Sequence, residues 1–272
     1  MKKYLLIILV IIGLGAGIYI TGRNKSGCCP LEQKVALQKD QDSSQQLKKA
    51  FAFLKSRKDK DALVIFELIL TKQPENLDAL WGKAEILRRN RRFKEAECLL
   101  NKILQDKPKD APSLITLAYI RYNDDDLDTA LSMVRQALEN ARGDKENQAL
   151  AYMMLGTINS RRSAKGWFFN KIMYGTQIKN YFLKAKELSP GLPEVHLGLG
   201  TFYLKAPAIA GGNLNKALEE LELAVKIAPD FCTANARLAQ AYKNKGDLEK
   251  HNFYFQRACI LDPENEFLEE AK

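Results

Sequence analysis

The sequence predicts an all-α protein: a solenoid of about six two-helix repeats preceded by one transmembrane helix. Three observations carry this. Gly and Pro number only 16 and 9 in 272 residues, and strand-like runs of Val, Ile and Thr are few. Pro74 and Pro108, and again Pro229 and Pro263, stand 34 residues apart, the period of a two-helix solenoid repeat. The N-terminus carries YLLIILVIIGLGAGIYI, Tyr4 to Ile20, without a charge.

Residues 1–3 are a basic N-terminus, with Lys2 and Lys3. Residues 4–22 read as the anchor. The uncharged run spans about 26 Å as a helix, just short of a bilayer core of about 30 Å, and Thr21 and Gly22 extend it. Two rivals stay open. A cleaved signal peptide would have only GAG at 15–17 as a poor cleavage site. A lipoprotein would use Cys28 after Ser26 and Gly27, but Lys25 stands where such a signal carries an aliphatic residue. The short Lys-bearing N-terminus places itself inside and the repeats outside, on the periplasmic side of a bacterial envelope. Arg23, Lys25, Lys34 and Lys39 pull the other way. On a eukaryotic cytosolic side, Cys28 and Cys29 would be palmitoylation sites. Residues 23–42 read as a polar linker.

Aligning on the prolines divides the rest into repeats 43–76, 77–110, 111–144, 149–192, 193–231 and 232–265. A small residue recurs in each first helix: Ala50, Ala84, Ala118, Gly156, Gly200 and Ala239. A second recurs early in the second helix, at Ala62, Ala96, Ala130 and Ala217. A bulky residue follows four positions on, at Phe66, Leu100, Val134 and Leu221. A third position holds Ile69, Ile103, Ala137, Ala185, Ala224 and Ala258. Antiparallel helices approach closely only where the crossing carries little side chain, and the bulky residue fills the adjoining groove.

This pattern resembles the tetratricopeptide repeat family. It is clearest in ALWGKAEILRRNRRFKEAECLLNKILQDKP at 79–108 and ANARLAQAYKNKGDLEKHNFYFQRACILDP at 234–263. The chain departs from it at Arg142, where repeat three lacks its proline. It departs again at His251 and Ile178, which occupy small-residue positions of repeats six and four. The resemblance implies a right-handed α-α superhelix whose first helices line a concave groove. Repeat phase then places Phe51, Leu54, Trp81, Glu85, Arg88, Arg89, Tyr119, Tyr122, Met153 and Lys243 toward that groove, although aromatics at helical spacing also serve inter-repeat packing. Residues 266–272 form a short C-terminal cap.

Repeats four and five break the period. Gly200 to Ala217 spans 17 residues against 12 in repeats one to three, and Pro207 with Gly211–Gly212 suits a widened turn capped by Asn213 or a neighbour. In repeat four, Gly156 to Pro190 spans 34 residues against 24 in repeats one and two. The excess, at about 161–173, contains Arg161, Arg162, Lys165, Trp167, Phe168, Phe169, Lys171 and Tyr174. It lies in a 40-residue stretch with no acid, from Glu146 to Glu187. Three readings fit it: aromatics packing back on the superhelix, an interfacial membrane contact, or an aromatic anchor with a basic rim for an acidic protein segment. Nucleic acid is a poorer form of the third. The other basic cluster, Arg88, Arg89, Arg91, Arg92 and Lys94, reads as a solvated turn.

Catalytic signatures are missing. There is no phosphate-binding glycine loop, nucleophile elbow or dinucleotide fingerprint. Asp124, Asp125, Asp126 and Asp128 lack the glycine and closing glutamate of a calcium loop and suit a helix start. Five cysteines and two distant histidines, His196 and His251, form no zinc pattern. Cys232 and Cys259 are the one candidate pair, with scattered buried thiols the simpler reading. No cofactor, metal or catalysis is expected. The family's carboxylate clamp for chaperone C-termini is also absent, since its positions in repeats one and two hold Leu47, Phe51, Trp81 and Glu85. The net charge of +9 favours acidic partners. The sequence therefore predicts a membrane-tethered scaffold for a protein or peptide partner. The alternative is an accessory or ligand-binding component of a transporter or secretion system.

Overall fold

Short polar residues and prolines set where the helices begin. In the computed structural model, which describes the backbone of residues 30–165 and 168–272 and the side chains of 43–165, 175 and 177–272, every helix pair starts from such a signal or a tight turn. The N-cap carboxylates and amides of Asn76, Asp110, Asp126, Asn213 and Asp247 each accept a backbone N–H three residues on, at 3.0–3.1 Å. Pro193 opens another helix at N1, where its missing N–H costs nothing.

The elements in order are α1 Pro30–Lys55, α2 Asp59–Lys72, α3 Leu77–Arg89, α4 Phe93–Asp106, α5 Ala111–Asn123, α6 Leu127–Asn140 and α7 Lys145–Lys165. They continue with α8 Phe168–Leu188, α9 Pro193–Lys205, a 3-10 turn Ala208–Ala210, α10 Leu214–Ile227, α11 Cys232–Lys245, α12 Leu248–Leu261 and α13 Leu268–Ala271. Each consecutive pair from α1 to α12 is one repeat, and no strand occurs among the described residues. Residues 42–272 form one unit; residues 1–41 form another, of which helical residues 30–41 are described.

The recurrent small and bulky positions meet at the crossings. Ala50, Ala84, Ala118 and Ala239 are fully buried, as are Ala62, Ala96, Ala130 and Ala217 beneath them and Phe66, Leu100, Val134 and Leu221 beside them. Each fully buried Leu, Val or Phe contributes about 1.5–3 kcal/mol of transfer free energy. The fit is tight. A Cβ on Gly82 would lie 2.2 Å from the Phe66 ring, so glycine at 82 makes room for a ring where repeat two needs only Leu100. His251, at a small-residue position, is accommodated by stacking on Phe255 and by a 3.2 Å contact of Nδ1 with the Ala239 carbonyl.

The turn within a pair is also periodic. Arg57, Arg91 and Asp125 have φ of 63°, 58° and 65°, and Gly246 has 85° in repeat six. The left-handed conformation closes the turn in four repeats, and only the last uses the residue that adopts it without cost. In repeat five the widened turn needs its glycines. Gly211 has φ 96°, and a Cβ on Gly212 would sit 1.8 Å from the Ala206 carbonyl oxygen.

Three expectations change. The segment read as a 23–42 linker is helical from Pro30 onward, because after that proline no glycine or proline interrupts a run of good helix formers. The repeat-four excess is not a separate insertion between helices of ordinary length. It lengthens both, so α7 and α8 have 21 residues each where the flanking α5 and α6 have 13 and 14. The arginine cluster at 88–94 is not simply a solvated turn, as described below. The cap 266–272 contains one turn, α13, whose Leu268 and Ala271 are buried on the last repeat. The anchor at 4–22 lies outside the described residues; among those described, no helix is long and apolar enough to cross a membrane.

Candidate functional site

The first helix of each pair faces inward, so the concave side is built from α1, α3, α5, α7, α9 and α11. Together they line a cavity of about 2020 Å³. Phe51, Leu54, Trp81, Glu85, Arg88, Arg89, Tyr119, Tyr122 and Met153 all line it, contributed by α1, α3, α5 and α7. Lys243 does not, and is exposed near the end of α11. Several of these aromatics pack on one another as well as on the cavity. Phe51 lies edge-on to Phe66 at 5.3 Å and 5.8 Å from Trp81, and the Trp81 indole N–H donates to Thr116 Oγ1 at 3.2 Å.

An ionic network occupies the end of the cavity nearest repeats one and two. Glu85 is its centre, and its carboxylate accepts from Arg88 Nε and Nη2 at 2.9 and 2.6 Å, Arg89 Nε at 2.9 Å and Thr116 Oγ1 at 3.3 Å. Arg89 Nη1 also donates to Asp59 at 2.7 Å and to the Leu54 carbonyl at 2.9 Å. Burial alone would push the Glu85 carboxyl up, but Arg88, Arg89 and Arg57 outweigh it and hold the group well below the usual carboxylate range. The same pairing raises Arg88 and Arg89 against the opposing effect of burial. Arg88 and Arg89 are thus interior charges, whereas Arg92 pairs with Glu95 in solvent at 55% and 56% side-chain exposure.

Two turn arginines cross the cavity. Arg57 Nη2 donates to Glu194 Oε1 at the start of α9, at 2.6 Å, and its guanidinium stacks 3.8 Å over the Phe231 ring just before α11. Arg91 donates to Asp262 at 2.9 Å and to the Glu264 carbonyl at 3.0 Å, beyond α12. Among the described helix pairs, α2–α4 pack on sequence neighbours or next but one and not extensively on α9–α13. Side chains therefore close the ring. The closure is incompletely satisfied: Arg57 Nε and Glu194 Oε2 are buried without a hydrogen-bond partner. Burial, followed by the Arg89 charge, lowers the Arg57 guanidinium from its ordinary value.

Arginine–aromatic stacking recurs around the wall. Arg88 lies 4.1 Å from the Tyr119 ring centre, Arg161 3.9 Å from Tyr122 and Arg237 4.2 Å from Phe267. Burial pushes the Tyr122 hydroxyl up to about 12, so it stays a neutral donor.

Arg161, Arg162 and Lys165 of repeat four each have a partner on repeat three. Arg161 donates to the Tyr122 carbonyl at 2.8 Å, Arg162 pairs with Asp128, and Lys165 pairs with Asp125. The acidic turn of repeat three thus neutralises the extended helix α7 beside it. The side chains of Trp167, Phe168, Phe169, Lys171 and Tyr174 lie outside those described. Asp126 caps α6, and Asp124 pairs with Arg121. Among the described residues no cluster of three or more His, Cys, Asp or Glu side chains is placed to hold a metal ion. Cys232 and Cys259 share a small apolar cluster as free thiols, and burial pushes the Cys232 thiol up to about 12.

Repeat phase missed Arg57, Arg91, Glu194, Phe231 and Asp262, which lie in turns or at helix starts rather than on inward helix faces. One signal was present: arginines at 57 and 91, 34 residues apart, where a left-handed turn favours glycine.

Comparison with known proteins agrees with this architecture. Residues 53–118 and 233–265 match tetratricopeptide repeat models. No curated protein matches the chain. Among solved structures, a human IFIT1 dimer with m7Gppp-AAAA is 19% identical with a TM-score of 0.58, covering 84% of this chain and 52% of that one. The APC/C hetero-tetramer Cut9–Hcn1 is 14% identical with a TM-score of 0.56, covering 84% and 42%. Both likenesses concern the fold, and the chain spans about half the length of these two neighbours or less. A Pseudomonas aeruginosa pilF structure is 17% identical with a TM-score of 0.47, covering 85% and 96%.

Proposed function

We propose, for a chain that carries tetratricopeptide repeats, that it is a membrane-tethered scaffold holding a segment of a protein partner in its concave cavity, without catalysis of its own. The repeats make a scaffold suited to protein–protein interaction. The observation that carries the peptide reading is the size and lining of the cavity. At about 2020 Å³ it exceeds the roughly 300–1,000 Å³ of small-molecule sites. Its wall alternates aromatic faces with oriented guanidinium groups, a combination that anchors peptide side chains and their polar groups. This favours a peptide over the small solute that a transporter accessory would take.

The tether rests on the uncharged run Tyr4–Ile20, and export of the repeats to a bacterial periplasm on Lys2 and Lys3 just before that run. Two measurements test the reading. A photo-crosslinking amino acid at Tyr119 or Met153 is expected to capture one defined protein in cells, and the same group at Val64, exposed on α2, is not. Equal capture from all three positions would sink the concave-site assignment. Alkaline extraction of membranes is expected to leave the full chain in the pellet and to release a chain lacking residues 1–29. Release of both would remove the tether.

A further inference from the structure

The ring closes through side chains of opposite charge that the two ends of the solenoid bring together. Resting on the peptide reading above, we infer that the partner segment is acidic, and that Glu194 and Asp262 occupy the places its carboxylates take on Arg57 and Arg91.

Four observations support this. First, the contact at Arg57 is half of what the two groups can form. A guanidinium offers Nε and Nη2 side by side to the two oxygens of one carboxylate. Here only Nη2 donates, to Glu194 Oε1, while Arg57 Nε and Glu194 Oε2 remain buried and unpaired. A carboxylate free to align with the fork satisfies Nε, and a displaced Glu194 recovers its hydration. Second, the guanidinium is held ready. Phe231 supports it from one face, and its side chain is only 10% exposed. Third, the cavity wall is slightly richer in cations than in acids. Ten Lys and Arg side chains line it against eight Asp and Glu, and Glu85 and Asp59 are already committed to Arg88 and Arg89. Fourth, both crossing arginines sit in left-handed turns where glycine would serve without strain, as Gly246 does in repeat six. The turn conformation by itself does not call for arginine at either position.

The mechanism is competition. Arg57–Glu194 and Arg91–Asp262 join the two ends, and opening separates both pairs. An acidic segment supplies replacement carboxylates as the ends part, so both arginines exchange partners and the buried Arg57 is never left uncompensated.

The test uses the full chain in a neutral detergent and a short fluorescein-labelled peptide of Glu and Ala, read by anisotropy beside its Gln isostere. The Gln isostere is expected to bind on the order of tenfold more weakly, as is the Glu peptide to Arg57→Lys, which keeps the charge and loses the fork. Glu194→Gln removes the internal competitor and is expected to tighten the Glu peptide several-fold, an effect that a purely structural role for Glu194 does not produce. Rising salt is expected to weaken binding to the unaltered chain. Equal binding of the Glu and Gln peptides, or no gain from Glu194→Gln in a chain that still melts cooperatively, overturns the inference. Tighter binding of labelled oligo(dT) than of the Glu peptide, lost in Arg57→Lys, overturns it in favour of phosphate. If Arg57→Lys does not fold, Glu194→Gln and the salt titration still decide. A partner captured from Tyr119 that proves indifferent to charge leaves the concave site standing and removes only the acidic-partner inference.

Discussion

Replacing Glu85 by glutamine isolates one charge at the centre of the ionic network. The carboxylate accepts four hydrogen bonds, three of them from Arg88 and Arg89, and the residue is 8% exposed. The amide is nearly isosteric and retains one acceptor oxygen, but it leaves two interior guanidinium groups with no balancing charge from that position. Breaking a buried pair from one side costs about 3–5 kcal/mol, and the surviving amide acceptor places Glu85→Gln near the lower end, about 3 kcal/mol. For a domain of this size that corresponds to a fall in Tm of about 6–12 °C. Thermal melts by circular dichroism with urea titration measure it. Because repeats stabilise one another through their neighbours, hydrogen exchange should show α3 and α5 losing protection first. Glu95→Gln, at the solvent-exposed pair with Arg92, is the control and should leave the melt where it was. If the two variants melt together, the arginines are solvated in solution and the network does not stabilise the fold.

Acid should act through Glu85 and Glu270. The Glu85 carboxyl titrates lower in the folded chain than the ordinary 4.5, so its contribution is present above about pH 4.5 and fades as pH falls below it. Glu270, held down to about 2 chiefly by its hydrogen bond to Arg237, should release α13 between about pH 4.5 and 2, visible as faster amide exchange at 268–271. Phe66→Ala should cost about 3–5 kcal/mol in urea titrations, since the ring is fully buried. Gly82→Ala should cost about 1–3 kcal/mol by overpacking that ring, and Phe66→Leu in the same chain should recover part of the loss. Additive effects of Gly82→Ala and Phe66→Leu would refute the contact.

Much of the solenoid is local in its coding. Small residues at 50, 84, 118, 156, 200 and 239 mark helix crossings because close approach demands them wherever they occur, and each is buried. Asn213 was readable as a cap because an Asx side chain three residues ahead of a free N–H has one natural partner. The inward faces of α1, α3, α5 and α7 followed from repeat phase, which is why Phe51, Trp81, Tyr119 and Met153 could be placed toward the cavity. The extended repeat was harder. Its ten-residue excess was countable, but a greasy, basic stretch gave no means of choosing between a loop and longer helices. Nor did it reveal that Asp125 and Asp128 of the preceding repeat would engage Lys165 and Arg162.

By itself the sequence determined the helical class, the repeat period, the crossings and the apolar N-terminal run, because each depends on residues within one helix or one helix pair. Tertiary structure alone decided that Arg57 reaches Glu194 across 137 residues and Arg91 reaches Asp262 across 171. Each repeat adds a small rotation and rise to the one before, and which turns finally meet is the accumulated result of all six. That sum is a property of the assembled superhelix. It turns two arginines in ordinary-looking turns into the charges that close the cavity.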